Sequence, residues 1–136
     1  MSDNELRRIK VLLIDDEPFI RLTIRQILMQ IGIPPSNLYD AGDATAGLAE
    51  TLRVRPSVVL CDIHMPGDDG LSYVAKVRSA PIPDVAATPV VMLTSDSGEE
   101  AVMAAKGHKV AGYLVKPVSI AAVKKSIERA LKVTLP

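Results

Sequence analysis

Tryptophan is absent, and one Phe and three Tyr in 136 residues leave little from which to build a stacking platform for single-stranded nucleic acid. Net charge is missing too. Sixteen basic against 16 acidic side chains produce no global field to attract DNA, RNA or an anionic membrane. Cysteine occurs once, at Cys61, which excludes an internal disulfide and any cysteine-based zinc site. No apolar run approaches the roughly 20 residues that a membrane helix needs. The opening MSDNELRRIK is polar and mixed in charge, and reads as neither signal nor transit peptide. A reducing, cytoplasmic compartment is the expectation. The glycine fingerprints of Rossmann and P-loop nucleotide sites are both lacking. What is present is an apolar fraction of 48% without net charge, enough to offset the ordering entropy of a folded chain. At this length a single domain is expected, burying roughly 65–70% of its unfolded surface.

Short apolar runs alternate with helical patterns. Lys10–Asp15 (KVLLID) is a run that stops on acid, as a strand buried on both faces would. Pro18 suits a first helical turn, and Ile20, Ile24, Ile27, Leu28 and Ile31 recur at helical spacing, predicting a helix over 18–31. Gly32 and Pro34-Pro35 end it. Asn37–Ala41 is a second strand, and Asp43 caps an alanine-rich helix over 44–53. Ser57–Asp62 (SVVLCD) repeats the first pattern, again stopping on aspartate. After the loop IHMPGDDG comes a helix over 71–79, then an irregular loop over 80–88 containing Pro81 and Pro83. Pro89–Thr94 (PVVMLT) ends on hydroxyls, and a helix over 98–106 follows, opened by Ser95 or Ser97 with Glu99 and Glu100 in its first turn. Ala111–Val115 leads to Lys116-Pro117. Ser119 caps a last helix whose stripe is Ile120, Val123, Ile127 and Leu131.

The order βαβαβαβαβα implies an α/β domain with a doubly wound parallel sheet and helices on both faces. Ligands of such sheets bind beyond the carboxyl ends of the strands. Those ends carry Asp15-Asp16, Asp62, Thr94-Ser95 and Lys116. Three carboxylates at one point repel each other, so a cation must hold them together. An all-oxygen set with few protein ligands suits Mg²⁺. A lysine and a hydroxyl beside that cation make a phosphoryl-transfer site, with an aspartate as the expected nucleophile.

In VLLIDD, DIHMPGDDG, VVMLTS and GYLVKP, at this order and spacing, the chain resembles the receiver domains of two-component response regulators, of the single-domain CheY-like type. The similarity runs over about residues 9–132. The resemblance implies a five-stranded sheet of order 2-1-3-4-5 in a single receiver domain over 1–136, without an output domain. It implies that Asp62 is phosphorylated, that Asp16 and Asp62 ligate Mg²⁺ with the His64 backbone carbonyl, and that Asp15 acts mostly through water. Lys116 would pair with a phosphoryl oxygen, placed by a cis Lys116-Pro117 peptide. Thr94 would bond the phosphoryl group, and Tyr113 would swap from an exposed to a buried rotamer. The face formed by the helix after Thr94, the strand ending at Val115 and the last helix would report the change. Departures from the pattern are His64, Val118, Lys109 and the long 80–88 loop.

The expected function is a phosphorylation-activated switch that takes its phosphoryl group from a sensor histidine kinase or a histidine phosphotransfer protein. It would catalyse only its own phosphorylation and dephosphorylation, and signal by contact with a downstream protein. It would be a monomer or a weak phosphorylation-dependent dimer, touching neither nucleic acid nor membrane. The alternatives are a phosphorelay intermediate or phosphate sink, a constitutive adaptor, and a haloacid-dehalogenase-type phosphatase. The last needs a second aspartate two residues after the nucleophile, where this chain has His64. Among the remaining polar residues, Asp68 and Asp69 read as solvated turn residues, Cys61 as a buried hydrophobe and His108 as a helix-end residue. Lys124, Lys125, Arg129 and Lys132 read as a solvated helix face.

Overall fold

The computed structural model describes residues 2–95, 98, 107 and 109–136. Five parallel strands form one sheet: β1 (Val11–Ile14), β2 (Leu38–Ala41), β3 (Val58–Asp62), β4 (Val90–Thr94) and β5 (Gly112–Val115). Their order is β2-β1-β3-β4-β5. The registers set Ile14 beside Ala41 and Cys61, Asp62 beside Leu93, and Thr94 beside Val115. Among the described residues the helices are α1 (Asp3–Leu6), α2 (Pro18–Ile31), α3 (Ala44–Val54), α4 (Gly70–Arg78), α5 (Pro83–Ala86) and α6 (Ile120–Leu131), with a 3₁₀ turn at Pro35–Asn37. Among these residues no helix is long and apolar enough to cross a membrane.

Alternation along the strands divides the interior into two cores. Val11, Leu13, Val58, Leu60, Val91 and Leu93 face α1, α2 and α6. Leu12, Ile14, Val59, Cys61, Val90 and Met92 face α3, α4 and α5. β1, β3 and β4 are buried along their whole lengths, which is why their sequences read as unbroken apolar runs.

Local signals act largely as their chemistry dictates. Asp43 Oδ1 accepts from Ala46 N–H at 2.7 Å and Ser119 Oγ from Ala122 N–H at 3.1 Å, capping α3 and α6. Gly32 ends α2 at φ 117°, where a residue with a Cβ is strained. Three short elements lie where the sequence predicts none: α1, the 3₁₀ turn, and α5 inside the proline-rich loop. Pro83 opens α5 and Val85 is fully buried against the α4 side, so tertiary packing orders four residues too few to be helical alone. Ile120 is 47% exposed rather than in the core stripe. Apart from Gly98, the predicted helix over 98–106, with Ser97, Glu99 and Glu100, lies outside the described residues, as does His108.

One buried polar contact ties α3 to α4. Thr51 Oγ1 donates to Gly47 O at 2.8 Å, so the Tyr73 hydroxyl at 2.6 Å is the donor to Thr51. Burial pushes the Tyr73 phenol well above the usual tyrosine range, keeping it protonated. Tyr73→Phe should cost about 1 kcal/mol in chemical denaturation. A loss below about 0.3 kcal/mol would show that the bond adds nothing over packing.

Candidate functional site

The chain leaves β1 toward β2 on one side of the sheet and returns to β3 on the other, so the switch of direction lies between β1 and β3. A crevice opens there beyond the carboxyl ends. Asp15 follows β1 and its N–H donates to Ala41 O at 3.1 Å, extending the ladder by one residue. Its carboxylate is 1% exposed. Oδ1 accepts from Glu17 N–H at 2.9 Å, and Oδ2 from Lys116 Nζ at 2.8 Å. Asp16, next in the chain, is exposed.

Asp62 is the last residue of β3 and is buried. Its Oδ1 accepts from His64 N–H at 3.3 Å, and its Oδ2 lies 3.3 Å from Lys116 Nζ. One carboxylate oxygen from each of Asp15, Asp16 and Asp62 falls within 4.8 Å of the others. Lys116 reaches this point from beyond β5. Its N–H donates to Thr94 O at 2.7 Å, which continues the β4–β5 pairing past the strand end. The Lys116-Pro117 peptide is cis. Thr94, at the end of β4, is buried; Tyr113 on β5 and the His64 side chain are exposed.

Burial raises the Asp62 carboxyl above the usual aspartate value, and the neighbouring Asp15 adds to this. Lys116 and the His64 N–H offset it only in part. Burial works against the Lys116 charge, but Asp15 and Asp62 outweigh it and hold the ammonium above the usual lysine value. Cys61 is buried, and burial followed by Asp62 pushes its thiol up, so it packs as a small hydrophobe. Ionised, the three carboxylates and one ammonium leave two negative charges at one point. That donor set, all oxygen and short by two charges, fits a divalent hard cation.

The structure therefore brings together Asp15, Asp16, Asp62 and Lys116, from three strand ends far apart in sequence. Asp68 and Asp69 stand apart, and they are more than solvated turn residues. Asp68 pairs with Lys76 at 2.6 Å, and Asp69 caps α4 by accepting from Ser72 N–H at 2.8 Å. The basic side chains of Lys125 and Arg129 are exposed on α6 and that of Lys132 just after it, while Lys124 is half-buried. Two residues at the site carry no sequence signal. Arg21 bonds the Asp15 carbonyl, and Gly70 packs against the Asp62 carbonyl. An arginine on a helix and a glycine after two aspartates read as surface and turn until the strands are placed.

Known proteins resemble this chain in sequence and fold. Over 123 residues the chain is 26% identical to the chemotaxis protein CheY-3 of Vibrio cholerae, covering 90% of this chain and 92% of that one. It is 30% identical over 122 residues to the transcriptional regulatory protein PdtaR of Mycobacterium tuberculosis, covering 90% of this chain and 56% of that longer protein. The solved structure of the chemotaxis protein CheY4 of Vibrio cholerae superposes with a TM-score of 0.81 at 30% identity, covering 90% of this chain and 98% of that one. The family model described as the response regulator receiver domain matches residues 11–128. That span runs from the first strand into the last helix, and the chain belongs to that family, whose members are the signalling switches of two-component systems.

Proposed function

We propose that the protein is a phosphorylation-activated switch whose acceptor is Asp62. The observation that carries this reading is the position of Lys116 Nζ, 3.3 Å from Asp62 and 2.8 Å from Asp15 beside a third carboxylate. An Asp62 oxygen attacks the phosphorus of a phosphohistidine. The new O–P bond forms as the N–P bond breaks, and the imidazole of the donor leaves with the electron pair. Asp16, Asp62 and the His64 backbone carbonyl would hold Mg²⁺, with Asp15 acting through water. Bound there, the ion neutralises charge on the transferring oxygens. Lys116 contributes a fixed ammonium that needs no reorganisation to meet another phosphoryl oxygen.

The product carries about −1.5 to −2 charges and three acceptor oxygens in a partly dry crevice. Thr94, buried at the end of β4, supplies a hydroxyl to one of them. That contact exists only after transfer, so it can bias a two-state equilibrium. Tyr113, now 43% exposed, then turns inward, and the surface of β5 and α6 reports the change to a downstream protein. The partners are a sensor histidine kinase or a histidine phosphotransfer protein, and that target. Service as a relay intermediate or phosphate sink uses the same chemistry with a different acceptor. A phosphatase of the haloacid-dehalogenase type is disfavoured, because His64 occupies the position of its second aspartate.

Incubation with acetyl phosphate and Mg²⁺ tests the proposal by intact mass. The expected result is one adduct of about 80 Da per chain, absent when EDTA is included. Continuous phosphate release at enzymatic rates, or no adduct at all, overturns it.

A further inference from the structure

Arg21 lies one turn into α2 and reaches back toward the acids. Its Nη1 donates to the main-chain carbonyl of Asp15, and its Nε donates to Asp40 Oδ2 on β2 at 3.0 Å. The Asp15 N–H is already engaged by Ala41 O. Both main-chain groups of Asp15 are therefore held, one by the β2 ladder and the other by Arg21. The Asp15 carbonyl belongs to the peptide unit that ends at the Asp16 Cα, and that unit is planar. Holding its oxygen sets the plane from which the Asp16 side chain departs.

Among the described residues Asp16 has no side-chain tether of its own. Its side chain is exposed, and among the described residues its carboxylate accepts no hydrogen bond. The Asp15 carboxylate, by contrast, is fixed by Glu17 N–H and Lys116, and that of Asp62 by His64 N–H and Lys116. Backbone alone brings the Asp16 oxygen to the point it shares with the other two. We infer that Arg21, oriented by Asp40, is a positioning residue for the cation site: it aims Asp16 by clamping the Asp15 carbonyl. The inference rests on the acid cluster being the Mg²⁺ site of the proposed switch.

A purely electrostatic role would have the opposite signature. Arg21 carries a positive charge near the site, so its removal would strengthen cation binding if charge were all it supplied. Loss of a group that orients metal ligands instead weakens binding, commonly 10- to 100-fold. A merely structural ion pair, with Asp40 60% exposed, would change neither.

The test is Mg²⁺ titration by calorimetry of the unaltered chain, Arg21→Gln and Arg21→Lys, with the Mg²⁺ dependence of adduct formation measured alongside. Arg21→Gln is expected to bind Mg²⁺ about tenfold more weakly. Half-saturation of adduct formation should shift by the same factor, with the rate at saturating Mg²⁺ restored. Arg21→Lys keeps the charge but not the fork that spans two acceptors, and should lie between. Mg²⁺ affinity of Arg21→Gln equal to or tighter than that of the unaltered chain overturns the inference and leaves the switch intact. Absence of Mg²⁺ binding by the unaltered chain overturns both. If Arg21→Gln does not fold, Arg21→Lys alone decides, and unchanged affinity there is the refuting result.

Discussion

An Asp62→Asn protein should take up no phosphoryl group and, in EDTA at neutral pH, be more stable than its parent. The first effect follows because an amide lacks the nucleophilic oxygen pair, so the adduct of about 80 Da falls to background. The second follows from electrostatics. Burial and Asp15 raise the Asp62 carboxyl above its ordinary value, despite Lys116. The folded chain therefore holds a proton that the unfolded chain releases, and stability falls as pH rises from the ordinary carboxylate value, about 3.9, through the raised one. Asparagine keeps the shape and removes that loss. A gain of about 1 kcal/mol is expected at pH 7, shrinking toward zero at a pH below both values. Mg²⁺ should reverse the order, since binding at ten times Kd stabilises the parent by about 1.4 kcal/mol. Denaturant titrations at pH 7 and at about pH 3, with EDTA or Mg²⁺, read all of this. A variant less stable than its parent at pH 7 in EDTA would mean that Lys116 outweighs burial at Asp62.

Gly70→Ala should be among the most damaging single changes in the chain, although alanine is the better helix former by about 0.8–1 kcal/mol in a helix interior. Gly70 opens α4, its N–H donating to Ile63 O at 2.9 Å. A Cβ at this position would stand 2.1 Å from the Asp62 carbonyl oxygen and 2.9 Å from Met92 Cε. The methionine end can move, but the carbonyl belongs to β3, the central strand of the sheet. Relief therefore requires α4 or the end of β3 to shift by about 1 Å, and overpacking of this kind costs about 3 kcal/mol. The same shift displaces Asp62. A misplacement near 1 Å can slow a positioned reaction about a hundredfold, so adduct formation should fall even where the protein remains folded. Stability within about 0.5 kcal/mol of the parent, together with normal adduct formation, would show that α4 yields without cost.

Much of this architecture is legible in the chain. KVLLID, SVVLCD and PVVMLT read as strands because a parallel sheet covered on both faces admits no polar alternation. The residues that stop them, Asp15, Asp62 and Thr94, stand out because a polar group after such a run must lie at its end. α5 was hidden because its four residues fold only against neighbours distant in sequence. Arg21 and Gly70 were hidden for a related reason: each matters through a main-chain carbonyl, and carbonyls leave no mark in a sequence.

Local pattern by itself determined the five strands, most of the helices and the residues at the strand ends. The order of the strands came from resemblance, since alternation of elements admits many orders. Only the tertiary structure decided which oxygen each cation holds. Lys116 and Asp15 are 101 positions apart in the chain, and they meet because every strand pairing is parallel. That sets the carboxyl ends of β1, β3, β4 and β5 along one edge of the sheet, within reach of the long lysine side chain across the two intervening strands. Burial then makes the pairing matter, since a charge removed from water must be met by a partner at a definite distance and direction.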